Sequence, residues 1–238
     1  MFSIIHAETA QRLQEMATDL RAITGISTSK GMAETEVTID DAGRTVTLRG
    51  TAGQIALAEW LVNALDKPGQ DPGTRQYRLP ESETARPAWL PGGRDDVVRV
   101  FYPTHAETPQ EIQELAVVVR SIYGVFRLFT FSATRAIALR GTADQIAIAE
   151  WLFNDLDKQS QNPGTHEYRL PGGGDDVVRV FYLMHAATAQ RLQQIATEVR
   201  SMAEIRRLFI YNAPRAVAMR GTAAQIALAD RLIQERDR

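Results

Sequence analysis

Arg-Gly-Thr-Ala-x-Gln-Ile-Ala stands at Arg49–Ala56, at Arg140–Ala147 and again at Arg220–Ala227. In each copy a Thr is followed three residues later by a Gln, the pattern of a helix capping box, so each phrase opens a helix. A unit written three times presents a repeated surface, whereas a catalytic pocket gathers unlike residues at one place. The repetition therefore speaks for a binding or assembly role.

Working outward, Val97–Lys158 aligns without gaps on Val177–Arg238 at an offset of 80, with 32 of 62 positions identical. The first copy, from about Phe2 to Lys67, fits once eight extra residues are allowed between Gly25 and Gly43. The resulting division is a first module at 1–67, a linker at 68–96, a second module at 97–158, a linker at 159–176 and a third module at 177–238. Both linkers carry Pro-Gly-Thr-x-x-Tyr-Arg-Leu-Pro, at Pro72–Pro80 and Pro163–Pro171. Modules of about 60 residues lie near the lower limit for a self-sufficient core, so packing between modules is expected.

The second copy reads most clearly. Val97–Tyr102 is a β-branched and aromatic run of strand length. Thr108-Pro109-Gln110-Glu111 combines an N-cap, a proline at the first helical position and a capping-box Glu. Ile112, Leu115, Ala116, Val119 and Ile122 then recur at three and four positions, one buried stripe ended by Gly124. Phe126–Phe131 and Arg135–Arg140 form a hairpin, and the helix opened by Thr142 carries Ile146, Ala149, Leu152, Phe153 and Leu156 on one side. The third copy repeats the first stripe with Leu192, Ile195, Ala196, Val199 and Met202, and the first copy with Leu13, Met16, Ala17, Leu20 and Ile23. The predicted fold is α+β: three tandem βαββα modules, each a three-stranded sheet with both helices on one face. The surplus of the first copy is expected to form a longer polar hairpin, with turn chemistry at Lys30-Gly31 and Asp40–Gly43 around the alternating strand Glu36–Ile39.

A strand ending in Tyr-x-x-His-Ala, a helix of Leu-x-x-Ile-Ala type and a hairpin leading into Arg-Gly-Thr-x-x-Gln-Ile-Ala resemble the short N-terminal domains of bacterial secretins. The resemblance covers each module, about 190 residues in all. It implies KH-like βαββα modules strung in tandem, protein partners or self-association, and a periplasmic location. Nothing in the chain resembles the secretin pore region. The opening Met-Phe-Ser-Ile-Ile-His has neither a basic leader nor a long apolar stretch, which by itself points to the cytoplasm.

Composition narrows the function classes. A net charge of −2 gives no global attraction to nucleic acid or anionic membrane, and no stretch approaches the roughly 18 apolar residues of a membrane span. The absence of Cys removes disulfides, thiolate metal sites and cysteine nucleophiles together. No nucleophile elbow, P-loop or dinucleotide fingerprint is present, so the chain reads as non-catalytic, with no cofactor. His6, His105 and His185 recur at the strand-to-helix junction, where an imidazole is expected to bond a helix end or neighbouring backbone rather than a metal. Asp95-Asp96 and Asp175-Asp176 are read as solvated turn pairs.

Nucleic acid is the second partner class, because KH-like modules bind single strands. Arg127, Phe129, Phe131, Arg207, Phe209 and Tyr211 form a basic and aromatic hairpin surface on which bases could stack, although the Gly-x-x-Gly loop of KH domains is missing. The preferred reading is a protein-interaction or assembly scaffold. Trp60 and Trp151, five residues after Ile55 and Ile146, turn about 140° from the core stripe and are expected to meet a neighbouring module. The third copy has Arg231 there.

Overall fold

The computed structural model of the chain describes residues 2–3, 10–24, 36–40, 45–65, 75–80, 97–125, 127–131, 134–158, 166–170 and 176–238. Along these run β1 (Phe2–Ser3), α1 (Ala10–Thr24), β2 (Glu36–Asp40), β3 (Thr45–Arg49), α2 (Ala52–Leu65) and β4 (Arg75–Arg78). The second repeat supplies β5 (Val97–Phe101), α3 (Pro109–Tyr123), β6 (Arg127–Phe131), β7 (Ala136–Gly141) and α4 (Ala143–Leu156). Then come β8 (His166–Arg169), β9 (Asp176–Tyr182), α5 (Ala189–Met202), β10 (Arg207–Tyr211), β11 (Ala216–Thr222) and α6 (Ala223–Arg236). The chain is α+β, with the βαββα order legible in the second and third repeats. His6, Lys30-Gly31 and the turn at 41–43 lie outside the described residues.

Local chemistry sets the helix starts. In α3 the Thr108 hydroxyl accepts from the Glu111 N–H while the Glu111 carboxylate accepts from the Thr108 N–H, and Gly124 closes the helix in the left-handed region at φ 74°. The three repeated phrases build the same box: Thr51 with Gln54, Thr142 with Gln145 and Thr222 with Gln225. The Gln curling back explains the glycine of the phrase. A Cβ on Gly141 would stand 2.6 Å from Gln145 Oε1, and one on Gly50 would stand 2.7 Å from Gln54 Oε1.

The three sheets are antiparallel, ordered β1-β3-β2, β4-β5-β7-β6 and β10-β11-β9-β8. The second and third thus have four strands rather than the three expected. The added strand in each case comes from a linker, where Tyr77 lies opposite Val98 and Tyr168 opposite Val178. Arg-Gln-Tyr-Arg and His-Glu-Tyr-Arg alternate as half-buried edge strands do, in a ladder four residues long.

By contacts the chain divides into two compact units, Met1–Tyr102 with Arg127–Ile146, and Pro103–Phe126 with Ala147–Arg238. These units are offset from the sequence repeats, because the second repeat gives its sheet to one and most of its helical residues to the other. In the first unit a single core joins Met16, Leu20 and Ile23 of α1 and Leu57 and Leu61 of α2 with Val98, Val100, Ala136 and Ala138 of the second sheet. In the second unit α5 and α6 cover one face of the third sheet, through Leu192, Ile195, Ile226 and Leu232 against Val177, Leu208, Val217 and Met219.

One expectation on the helix faces is corrected. Met202, placed in the buried stripe of α5, is 54% exposed, whereas Ile122 at the same repeat position is fully buried. The other stripe residues of α5 are buried as expected.

Candidate functional site

Each unit contains a junction between a helix pair and the sheet of the following repeat, and the two junctions use the same parts. On α2, Leu57, Trp60 and Ala64 are three and four residues apart and so share a face. On α4 the equivalent face carries Ile148, Trp151 and Asp155. The Trp60 ring lies 5.6 Å from that of Tyr77 on β4 at 43°, and the Trp151 ring lies 5.6 Å from that of Tyr168 on β8 at 46°. Such tilted aromatic pairs contribute roughly 0.5–1.5 kcal/mol beyond their burial. The sequence singled out both tryptophans. It did not supply their partners, although the recurrence of Tyr-Arg-Leu-Pro in both linkers was the available signal.

Contacts at the helix ends accompany these ring pairs. The Tyr102 hydroxyl donates to the Ala64 carbonyl at 2.5 Å, and the Tyr182 hydroxyl donates to the Asp155 carbonyl at 2.6 Å. Each thereby caps a carbonyl at the end of a helix that its own turn leaves unsatisfied. An arginine also caps the end of the first helix, but from a different strand in each unit: Arg140 of β7 donates to the Ile23 carbonyl at 2.7 Å, and Arg207 of β10 donates to the Ile122 carbonyl at 3.0 Å. At the second junction Arg220, the repeat equivalent of Arg140, stands over the Tyr123 ring at 5.1 Å and pairs with Asp176.

The second junction carries a polar cluster that the first lacks. Asp155 is 3% exposed, and its carboxylate meets His166 Nδ1, Lys158 Nζ at 3.0 Å and the Tyr182 hydroxyl at 3.2 Å. The corresponding positions at the first junction are Ala64, Arg75, Lys67 and Tyr102. Burial, and then the Asp155 carboxylate beside it, push the Tyr182 phenol well above the usual tyrosine range. The hydroxyl therefore stays protonated and can donate.

Two of the repeated histidines, His105 and His185, are bonded to the ends of the second helices. His105 and His185 place Nδ1 at 3.0 and 2.9 Å from the carbonyls of Asp157 and Asp237, at the ends of the second helices. The same aspartates accept from the backbone N–H groups of His105 and His185 at 2.8 and 2.9 Å. Among the described residues, no group of three or more His, Asp or Glu is placed to hold a metal. No helix among them is long and apolar enough to cross a membrane.

The residues of the nucleic-acid alternative are dispersed among packing roles. Phe131 is 6% exposed and joins the first unit's core, and Phe129 packs against it. Tyr211 is 2% exposed, its phenol raised by burial and then by the charges of Glu111, Asp157 and Glu114. Arg207 is committed to a helix carbonyl. Arg127 and Phe209 are half-buried. An array of open ring faces, which base stacking requires, is not formed there.

No protein-family profile matches the chain, and no curated protein matches it. Among solved structures it is similar to ExeD of Aeromonas hydrophila, at 13% identity over 95% of this chain and 39% of that one, with a TM-score of 0.22. It is likewise similar to the N-terminal domain of the secretin XcpQ from Pseudomonas aeruginosa, at 11% identity over 95% of both chains and a TM-score of 0.30. In the ETEC complex of the pilotin AspS with the secretin GspD, it matches at 14% identity over 95% of this chain and 36% of that chain, with a TM-score of 0.23. The chain thus spans well under half the length of ExeD and of the chain matched in the ETEC complex.

Proposed function

We propose that this chain is a non-catalytic assembly scaffold of secretin N-domain-like modules, built to join a helix pair to a sheet face and to bind protein partners in that manner. The observation that carries the reading is the recurrence of one lock, with its Trp–Tyr pair and its tyrosine on a helix carbonyl, in two units that share no residue. Stability alone does not require the same contacts twice, because any apolar face of suitable volume would fill a core. A reused geometry is what a recognition surface needs.

Hydrogen exchange on the full chain carrying Trp151→Arg, the residue native to the third copy, tests this. The expected result is faster exchange along β8, with α5 and α6 unchanged, since their core does not include Trp151. Unchanged protection of β8 would overturn the view that the tryptophan holds the lock.

A further inference from the structure

We infer that the outer edge of β10 is a site of self-association, at which two copies of this chain pair β10 against β10 antiparallel about a two-fold axis at Ile210. The inference rests on the scaffold reading and names a partner for it. β10 ends its sheet, and its Arg-Leu-Phe-Ile-Tyr is an apolar, β-prone run that at a free edge is a template for another strand.

Two side chains mark what the edge lacks. The Leu208 carbonyl takes a hydrogen bond from Arg200 of α5, and the Asn212 N–H donates to Glu114 of α3 at 3.1 Å. Leu208 and Ile210 have the same parity, so their backbone groups point out of the sheet on one side, as antiparallel pairing alternates. The Asn212 N–H, in the turn that follows β10, joins them, while the Asn212 carbonyl accepts from the Arg215 N–H at 3.0 Å. A cavity of about 300 Å³ is lined by Glu114 of α3, Arg200 of α5 and Leu208, Ile210 and Asn212 of this edge.

A two-fold axis through Ile210 sets Leu208 of one copy opposite Asn212 of the other. The Asn212 N–H then donates to the partner copy's Leu208 carbonyl, twice over, so Arg200 and Glu114 are now standing in for the groups that an identical strand would bring. Their charges are complementary across the same axis. Glu114 sits at the Asn212 end, while Arg200 and the exposed Arg206 sit at the Leu208 end, so pairing opposes each carboxylate to the other copy's arginines. The interface is isologous and closes at two copies.

Sedimentation equilibrium of the full chain tests the proposal. The parent should show a reversible monomer–dimer equilibrium that weakens with salt. Ile210→Pro removes an outward N–H on an edge strand, where proline is tolerated, together with the half-buried Ile210 side chain that packs against the core, and should leave a folded, somewhat less stable monomer. Glu114→Arg should weaken dimerisation by about tenfold or more through like-charge opposition, and adding Arg200→Glu should restore it. The charge swap keeps the test valid should the proline variant fail to fold. A parent that stays monomeric at its solubility limit, or a dimer indifferent to both the proline and the charge reversal, overturns the proposal. Exchange along β8 on Trp151→Arg reads the other junction, so a monomeric parent with an intact β8 response sinks only the β10 pairing.

Discussion

Small departures from a shared residue pattern show what each position does. Gly124 ends α3 in the left-handed region at φ 74°, and the third copy holds Glu204 in the same region at φ 52°. An L-residue with a Cβ is strained there by roughly 1–2 kcal/mol, so Glu204→Gly should stabilise the chain by about 1 kcal/mol in chemical denaturation. The reverse logic applies at Gly141, where a Cβ would meet the Gln145 side chain that caps the helix. Gly141→Ala should cost about 1 kcal/mol, the usual worth of an N-cap, and Gln145→Ala should abolish most of the difference between the two backgrounds. Asp19 supplies a pH signature. Burial, and then Glu15 one turn earlier, raise its carboxyl to about 6. Its folded state favours the neutral acid, so the stability it contributes is full below the ordinary carboxylate range and is lost as pH rises through about 6. Asp19→Asn should remove that dependence and, after allowance for solvent screening, stabilise the chain at neutral pH by about 1 kcal/mol or less. A pH series of melts of the two proteins that stay parallel would contradict this.

At the scale of elements, the repeats, helix starts and hairpins were legible in the sequence because capping boxes and 3.6-residue spacing are local signals. What escaped was the second buried face. Val-Val-Arg-Val-Phe-Tyr and Ala-Ile-Ala-Leu-Arg are apolar at both parities, the mark of a strand covered on two sides, whereas Thr-Val-Thr-Leu-Arg of β3 alternates and leaves Thr47 and Arg49 exposed. The helices hold the same information in a second stripe, Leu57 with Trp60 and Ile148 with Trp151, that a reading for one core face passes over. The linker strands escaped because four residues with two charges fall below the length at which alternation decides anything. The lock that makes the candidate site was therefore legible only in its tryptophans. Repeat-equivalent positions allow a sharp test. Ile122→Ala should cost about 2–5 kcal/mol, as deletions from a closed core do, while Met202→Ala at the equivalent exposed position should fall within about 0.5 kcal/mol of the parent. Equal effects in urea melts would mean that the two helix ends are covered alike.

At the scale of the whole molecule the three copies are alike in fold and unlike in what covers them. On the third helix pair the positions that α3 and α4 bury are open: Met202 is 54% and Leu228 41% exposed, where Ile122 and Ile148 are fully buried. Arg231 stands in place of Trp151, and Arg236 pairs with Glu198 at 3.2 Å where α3 has the buried Val118. The face is thus charged at two of the four sites where its siblings are apolar, Glu198 and Arg231, and keeps exposed apolar side chains at the other two. It follows that the sheet laid over α3 and α4 is a requirement of that helix pair and not an addition to it. Deleting residues 159–238 removes β8 to β11 and strips cover from Ile122, Ile148 and Trp151 together. The remaining 1–158 fragment should bind a hydrophobic dye strongly and melt well below the full chain. Giving that fragment the polar residues of the third copy, Trp151→Arg with Val118→Glu, should lower dye binding and raise its solubility, although Trp151→Arg alone is expected to loosen β8 in the intact protein. A fragment that melts like the parent without dye binding would show that α3 and α4 are complete on their own, and the case for a reused docking face would fall with it.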